Sequence, residues 1–84
     1  MSLIQKVQKV LDERSSETAS NFSARYKGGD DVVSMNAFFR QVLIAAPVST
    51  LDERGCLMDD MDESIWLDYF ANHVAPTVVR FNLI

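Results

Sequence analysis

The 84-residue sequence has few of the residues that form disulfides, bind metal ions or make tight turns: one cysteine, one histidine, three glycines and two prolines. A disulfide needs two cysteines, so Cys56 cannot form one within the chain. This excludes a disulfide-stapled secreted domain and favours a cytoplasmic or other reducing compartment. Cys56 and His73 supply too few ligands for a structural zinc site. We expect neither a metal nor a cofactor, and the scarcity of turn residues argues against a β-sandwich.

The sequence also lacks a long apolar run and an excess of positive charge. A membrane-spanning helix needs about 18 or more consecutive apolar residues. The best candidate, residues 38–48, is interrupted by Arg40 and Pro47, so we expect no membrane span. The net charge is −4. Phosphate contacts supply most non-specific affinity for nucleic acids, so this chain is a poor candidate to bind them. A basic first helix leaves a nucleic-acid-associated regulator as an alternative.

The first 27 residues carry an apolar stripe at helical spacing. Ser2 and Gln5 have the spacing of a capping box, in which each side chain accepts a hydrogen bond from the other residue's backbone N–H. The stripe keeps its register to residue 26, which predicts one helix over residues 2–27, ended by a left-handed cap at Gly28-Gly29. The alternative is two helices separated at Ser15-Ser16, with the second serine as the new N-cap.

The next segment has the most regular helical stripe in the chain. It predicts a helix over residues 34–46, with Asp31 or Ser34 as N-cap and with Pro47 ending it. Apolar residues surround more than half of this helix. Such a distribution is typical of a central helix that is covered on several sides.

Capping signals and prolines divide the rest of the chain. They predict a short helix over residues 50–55 and a helix over residues 62–75, which Pro76 stops. Residues 77–84 alternate like a strand, so they form either an extended arm or a short final helix. The whole chain is then one all-α domain, residues 1–84, of three to four helices. An α+β alternative pairs Val32-Val33 with the tail as a two-stranded ribbon.

Candidate catalytic groups are scarce. Cys56 and His73 could form a thiolate–imidazole pair, but nothing in the sequence brings them together. Neighbouring carboxylates such as Asp12 and Glu13 point apart on a helix and do not make an acid–base pair. We therefore predict that the chain is not an enzyme, and keep a small enzyme that uses Cys56 and His73 as an alternative.

The strongest remaining signal is apolar surface toward the C-terminus. Residues 62–84 hold more large apolar side chains than one small core has room for, and tryptophan and tyrosine are enriched at interface hot spots. We therefore predict a non-enzymatic interaction module: a small accessory subunit, adaptor or inhibitor that docks on a larger protein or on a second copy. The predicted partner-binding residues are Trp66, Tyr69, Phe70, Val79, Phe81 and Leu83.

Overall fold

The computed structural model describes residues 1–47 and 61–84, and every regular element within them is helical. In chain order these are α1 (Leu3–Arg14), α2 (Ser16–Arg25), α3 (Val32–Ile44), α4 (Glu63–Tyr69), a π-helix (Phe70–Val74) and α5 (Ala75–Arg80). The all-α prediction is confirmed. The alternative of a two-stranded ribbon between Val32-Val33 and residues 77–84 is wrong, because Val32 and Val33 begin α3 and residues 77–80 belong to α5. The predicted helix over residues 50–55 lies outside the described residues.

The first helical segment is broken at Ser15, so the prediction of one helix over residues 2–27 is wrong. Ser15 is extended, with φ −161° and ψ 112°. The Ser15 N–H donates to the Leu11 carbonyl at 2.7 Å, and α1 ends there. The Ser15 hydroxyl accepts from the Thr18 N–H at 3.2 Å and starts α2. The alternative of two helices is correct, but the N-cap is Ser15 rather than Ser16. A cap side chain must reach a free backbone N–H in the first turn of the helix, and the Ser15 hydroxyl does so at Thr18.

The turn between α2 and α3 is held by side chains. Tyr26 ends α2 in an extended conformation, and neither Gly28 nor Gly29 has a positive φ, so the predicted left-handed glycine cap is wrong. Glycine is needed here for close approach: a Cβ on Gly28 would lie 2.6 Å from the Tyr26 hydroxyl oxygen, and that hydroxyl donates to the Gly29 carbonyl. Asp30 anchors the turn, because its Oδ1 accepts from the Ile4 N–H at 2.7 Å.

Helix α3 begins at Val32 because the Asp31 carboxylate accepts from the Ser34 N–H at 3.1 Å. It packs through large side chains: Phe39 stacks on Phe22, with ring centroids 5.7 Å apart, and contacts Phe70 at 4.7 Å. The prediction of a central helix covered on several sides is wrong for α3. Within the described ranges α1 has that role and packs against α2, α4 and α5.

Residues 63–80 form one helical run through Pro76, so the predicted stop at Pro76 is wrong. The Ala75 N–H donates to the Phe70 carbonyl, five residues back, which widens the helix just before the proline. The wider turn accommodates a residue that lacks an N–H and whose ring crowds the preceding turn. It also leaves the Ala71 carbonyl without a helical donor, and Arg14 Nη2 donates to that carbonyl at 3.3 Å.

The tail ends in a cap and returns to the body. Asn82 is left-handed, with φ 54°. The Leu83 N–H donates to the Val78 carbonyl at 3.0 Å, which completes a Schellman motif. Ile84 is buried, and its carbonyl accepts from Asn21 Nδ2 at 3.2 Å. The prediction of a short final helix is confirmed, and the extended arm is wrong.

Candidate functional site

Two of the six predicted partner-binding residues are core residues. The Trp66 and Phe70 side chains are 0% exposed, and their rings stack with centroids 5.3 Å apart. The Trp66 indole N–H donates to Asn36 Oδ1 at 3.1 Å, and Asn36 is also fully buried. The prediction that Trp66 and Phe70 face a partner is therefore wrong. The reason is geometric: α4 and the π-helix point both rings into the core, where Phe70 contacts Phe39.

The other four predicted residues are partly exposed and lie in different surroundings. The Tyr69 ring contacts the His73 ring, with centroids 4.7 Å apart. Phe81 lies beneath the Arg80 guanidinium, whose carbon is 5.1 Å from the ring centroid. Of the six, only Leu83 lines a groove, so the predicted set does not form one site. A partner role for Tyr69, Val79, Phe81 and Leu83 stays a prediction.

Leu83 lines a groove between α3 and the end of the chain. The groove has a volume of about 290 Å³, and five of its seven lining residues are apolar, with Arg25 at the end of α2 as the one charged side chain. Edge-to-face contacts with Phe22 and Tyr26, at 5.7 and 5.2 Å between centroids, fix the Phe38 ring in its wall. The lining residues are Arg25, Phe38, Gln41, Val42, Ala45, Leu83 and Ile84.

The outer face of α3 continues this apolar surface into solvent. Ile44 is 72% exposed and Val33 is 55% exposed. Ala37, also exposed, stands four residues after Val33 and seven before Ile44, so the three share one face of the helix, on which the exposed Arg40 and Gln41 lie between Ala37 and Ile44. The outer face of a surface helix is ordinarily charged or polar. The sequence signal for this surface was the off-stripe position of Ile44 and Ala45, which suggested a covered helix instead.

No aspartate or glutamate is among the residues that line the groove. Residues 18–29, 32–47 and 69–84 contain no aspartate and no glutamate, although the chain has 12 acidic residues. The same segments hold Arg25, Lys27, Arg40 and Arg80. Among the residues that line the groove, Arg25 is therefore the one that carries a charged side chain.

A larger depression lies elsewhere, between α1 and α2. It has a volume of about 650 Å³ and opens broadly to solvent. Seven of its nine lining residues carry hydroxyl, amide or charged side chains, and Met1 and Ala19 are the apolar ones. The lining residues are Met1, Gln5, Gln8, Lys9, Asp12, Ser16, Ala19, Ser20 and Ser23.

The candidate catalytic and basic residues form no constellation within the described ranges. His73 is exposed on the π-helix, whereas Cys56 lies outside the described residues. No group of three or more His, Cys, Asp or Glu residues there could hold a metal ion. In the same ranges, no helix is long and apolar enough to cross a membrane. Lys6 of the basic first helix pairs with Glu63 at 3.1 Å, which lowers the charge that it offers to phosphates.

The sequence matches no protein-family model, no curated protein and no solved structure. Function is therefore inferred from the groove and the adjoining face of α3.

Proposed function

We propose that the chain is a non-enzymatic protein-interaction module, a small accessory subunit, adaptor or inhibitor that docks on a larger protein. Its docking surface is the outer face of α3 together with the adjoining groove. The observation that carries the proposal is the exposure of Val33 and Ile44 beside a groove lined by apolar side chains. The lone cysteine supports a cytoplasmic or other reducing location.

The energetics favour burial of this surface by a partner. Full burial of one isoleucine or valine side chain is worth about 1.5–3 kcal/mol. Two such residues, with the groove beside them, could supply several kcal/mol of binding energy. Exposed apolar side chains beside a groove are a feature of protein-interaction sites. Leu83 keeps its predicted role here as part of the groove wall.

The test compares two matched substitutions. Ile44→Glu places a charge on the outer face of α3, and Ile65→Glu places the same charge on α4, where Ile65 is 60% exposed. Neither side chain belongs to the core, so both variants should fold, as checked by circular dichroism. We expect a tagged Ile44→Glu chain to lose its native partner from an extract of the source cells, at least about tenfold, because a charge is desolvated on docking. The Ile65→Glu chain should retain it.

Two outcomes contradict the proposal. If Ile44→Glu retains the partner as well as the wild type does, the outer face of α3 is not the docking surface. If both variants lose the partner equally while they remain folded, the effect comes from the added charge rather than from the place of the substitution.

A further inference from the structure

We infer that the groove between α3 and the end of the chain receives an acidic, apolar peptide segment of another protein. Apolar side chains of that segment fill the groove, and one of its carboxylates pairs with Arg25. This inference rests on the proposed function, because it names the chemistry of the partner at the same surface.

The size of the groove fits side chains rather than a cofactor. Small-molecule sites in proteins usually have volumes of about 300–1,000 Å³ and enclose most of the ligand. The groove has about 290 Å³ and is open along one side, so it holds a side chain or two of a peptide that lies across it. Phe38, Val42 and Leu83 supply the apolar walls that such side chains need.

The charge of the groove selects an acidic segment. Arg25 lines the groove and makes no ion pair with another described residue. No carboxylate side chain is among the residues that line the groove with it. A peptide carboxylate beside the apolar wall would meet Arg25 in a partly desolvated place, where charge-assisted hydrogen bonds are strongest.

The same charge argues against a second copy of this chain as the occupant. A two-fold dimer places the same surface patch of both subunits in contact. Each groove would then bring its own Arg25 to the same interface as the Arg25 of the other copy. Like charges opposed at an interface cost binding energy, whereas an acidic segment gains it.

The experiment selects binders from a displayed random peptide library against the full chain. The recovered peptides are then measured by fluorescence anisotropy against the wild type, Arg25→Glu and Arg80→Glu. The two variants change the net charge equally, but Arg80 does not line the groove. We expect the recovered peptides to combine apolar residues with aspartate or glutamate. Arg25→Glu should weaken their binding about tenfold or more, and Arg80→Glu should change it only about twofold, because salt screens distant charges.

A charge exchange sharpens the test. A recovered peptide whose acidic residues are replaced by lysine should bind the Arg25→Glu chain more tightly than it binds the wild type. Recovered peptides without acidic residues would overturn the inference, as would equal losses with Arg25→Glu and Arg80→Glu, or a selection that yields no binder. A wild-type dimer in sedimentation that Ile44→Glu dissociates would overturn it too, because the occupant would then be a second copy.

The outcomes separate the inference from the proposed function. If neutral or basic peptides are recovered and Ile44→Glu still loses the native partner, the surface is correct and the acidic chemistry is wrong. If Ile44→Glu retains the native partner, the proposed function itself fails.

Discussion

The buried hydrogen bond between Trp66 and Asn36 gives the sharpest prediction about stability. Both residues are fully buried, and the Trp66 indole N–H donates to Asn36 Oδ1 at 3.1 Å. Asn36→Leu leaves the indole N–H without its acceptor, which costs about 1–3 kcal/mol of unfolding free energy. Trp66→Phe leaves the amide oxygen without its donor and adds a cavity, for a loss of about 2–3 kcal/mol.

The double variant distinguishes a hydrogen bond from simple packing. When both polar groups are replaced by apolar ones, no buried donor or acceptor of this pair is left unsatisfied. The combined loss should therefore be smaller than the sum of the single losses by about 1–2 kcal/mol, within the range found for residues in contact. Other interactions of Asn36 are lost in the single and the double variant alike, so they cancel from the comparison.

Urea unfolding measures the comparison. Trp66 is the only tryptophan, so far-ultraviolet circular dichroism must replace fluorescence in the Trp66→Phe variants. A loss of about 2 kcal/mol lowers the urea midpoint by about 1 M for a domain of this size. If the two single losses of unfolding free energy sum to the loss of the double variant within about 0.5 kcal/mol, Trp66 and Asn36 are not coupled.

Three further predictions concern local structure. Asn82→Ala should lower the unfolding free energy by about 1 kcal/mol, because alanine is disfavoured in the left-handed conformation that Asn82 adopts, with φ 54°. Asn82→Gly should keep the stability of the wild type, and thermal melting of the three chains checks both expectations. Ser15→Ala should lower the unfolding free energy by about 1 kcal/mol in urea unfolding, because α2 loses its N-cap. If Ser16→Ala lowers it by the same amount, the position of the cap is wrong. Hydrogen bonds from the Ser64 hydroxyl and N–H hold the pKa of Asp62 below its ordinary value of 3.8. The stability that these bonds contribute is present above pH 3.8 and is lost as pH falls through the lower folded-state pKa. Asp62→Asn should flatten the acid side of the stability profile, measured as urea midpoints against pH, and an unchanged profile would contradict the assignment.

Local chemistry made the helix starts predictable. Ser2 and Gln5 form the predicted capping box, and Asp62 caps α4 at the start of the helix predicted over residues 62–75. These features depend on residues within one turn of each other, so their spacing in the sequence is enough to find them. The all-α class followed from the same kind of signal.

The break at Ser15 and the passage through Pro76 were not predictable in the same way. The apolar stripe keeps its register across Ser15, so periodicity gave no sign that α1 ends there. At Pro76 the rule that proline ends a helix did not hold, because tertiary contacts accompany the widened turn. Phe70 is packed in the core, and Arg14, 57 residues away in the chain, donates to the Ala71 carbonyl.

The candidate site was the least predictable part. Counting apolar residues predicted a surplus of apolar surface in residues 62–84. Trp66 and Phe70 lie in the core, whereas Ile44 on α3 is largely exposed. Which side of an apolar helix faces solvent depends on where its neighbours pack, and a single sequence does not contain that information directly.

The most direct test of the proposed docking surface is site-specific photo-crosslinking in the source cells. A photo-reactive amino acid replaces Ile44 in one chain and Ile65 in another, since both positions are exposed but lie on different helices. A partner that docks on the outer face of α3 predicts a crosslinked protein adduct from position 44 and none from position 65. An adduct from position 65 alone, or no adduct from position 44 while the partner is still captured, would contradict the proposal.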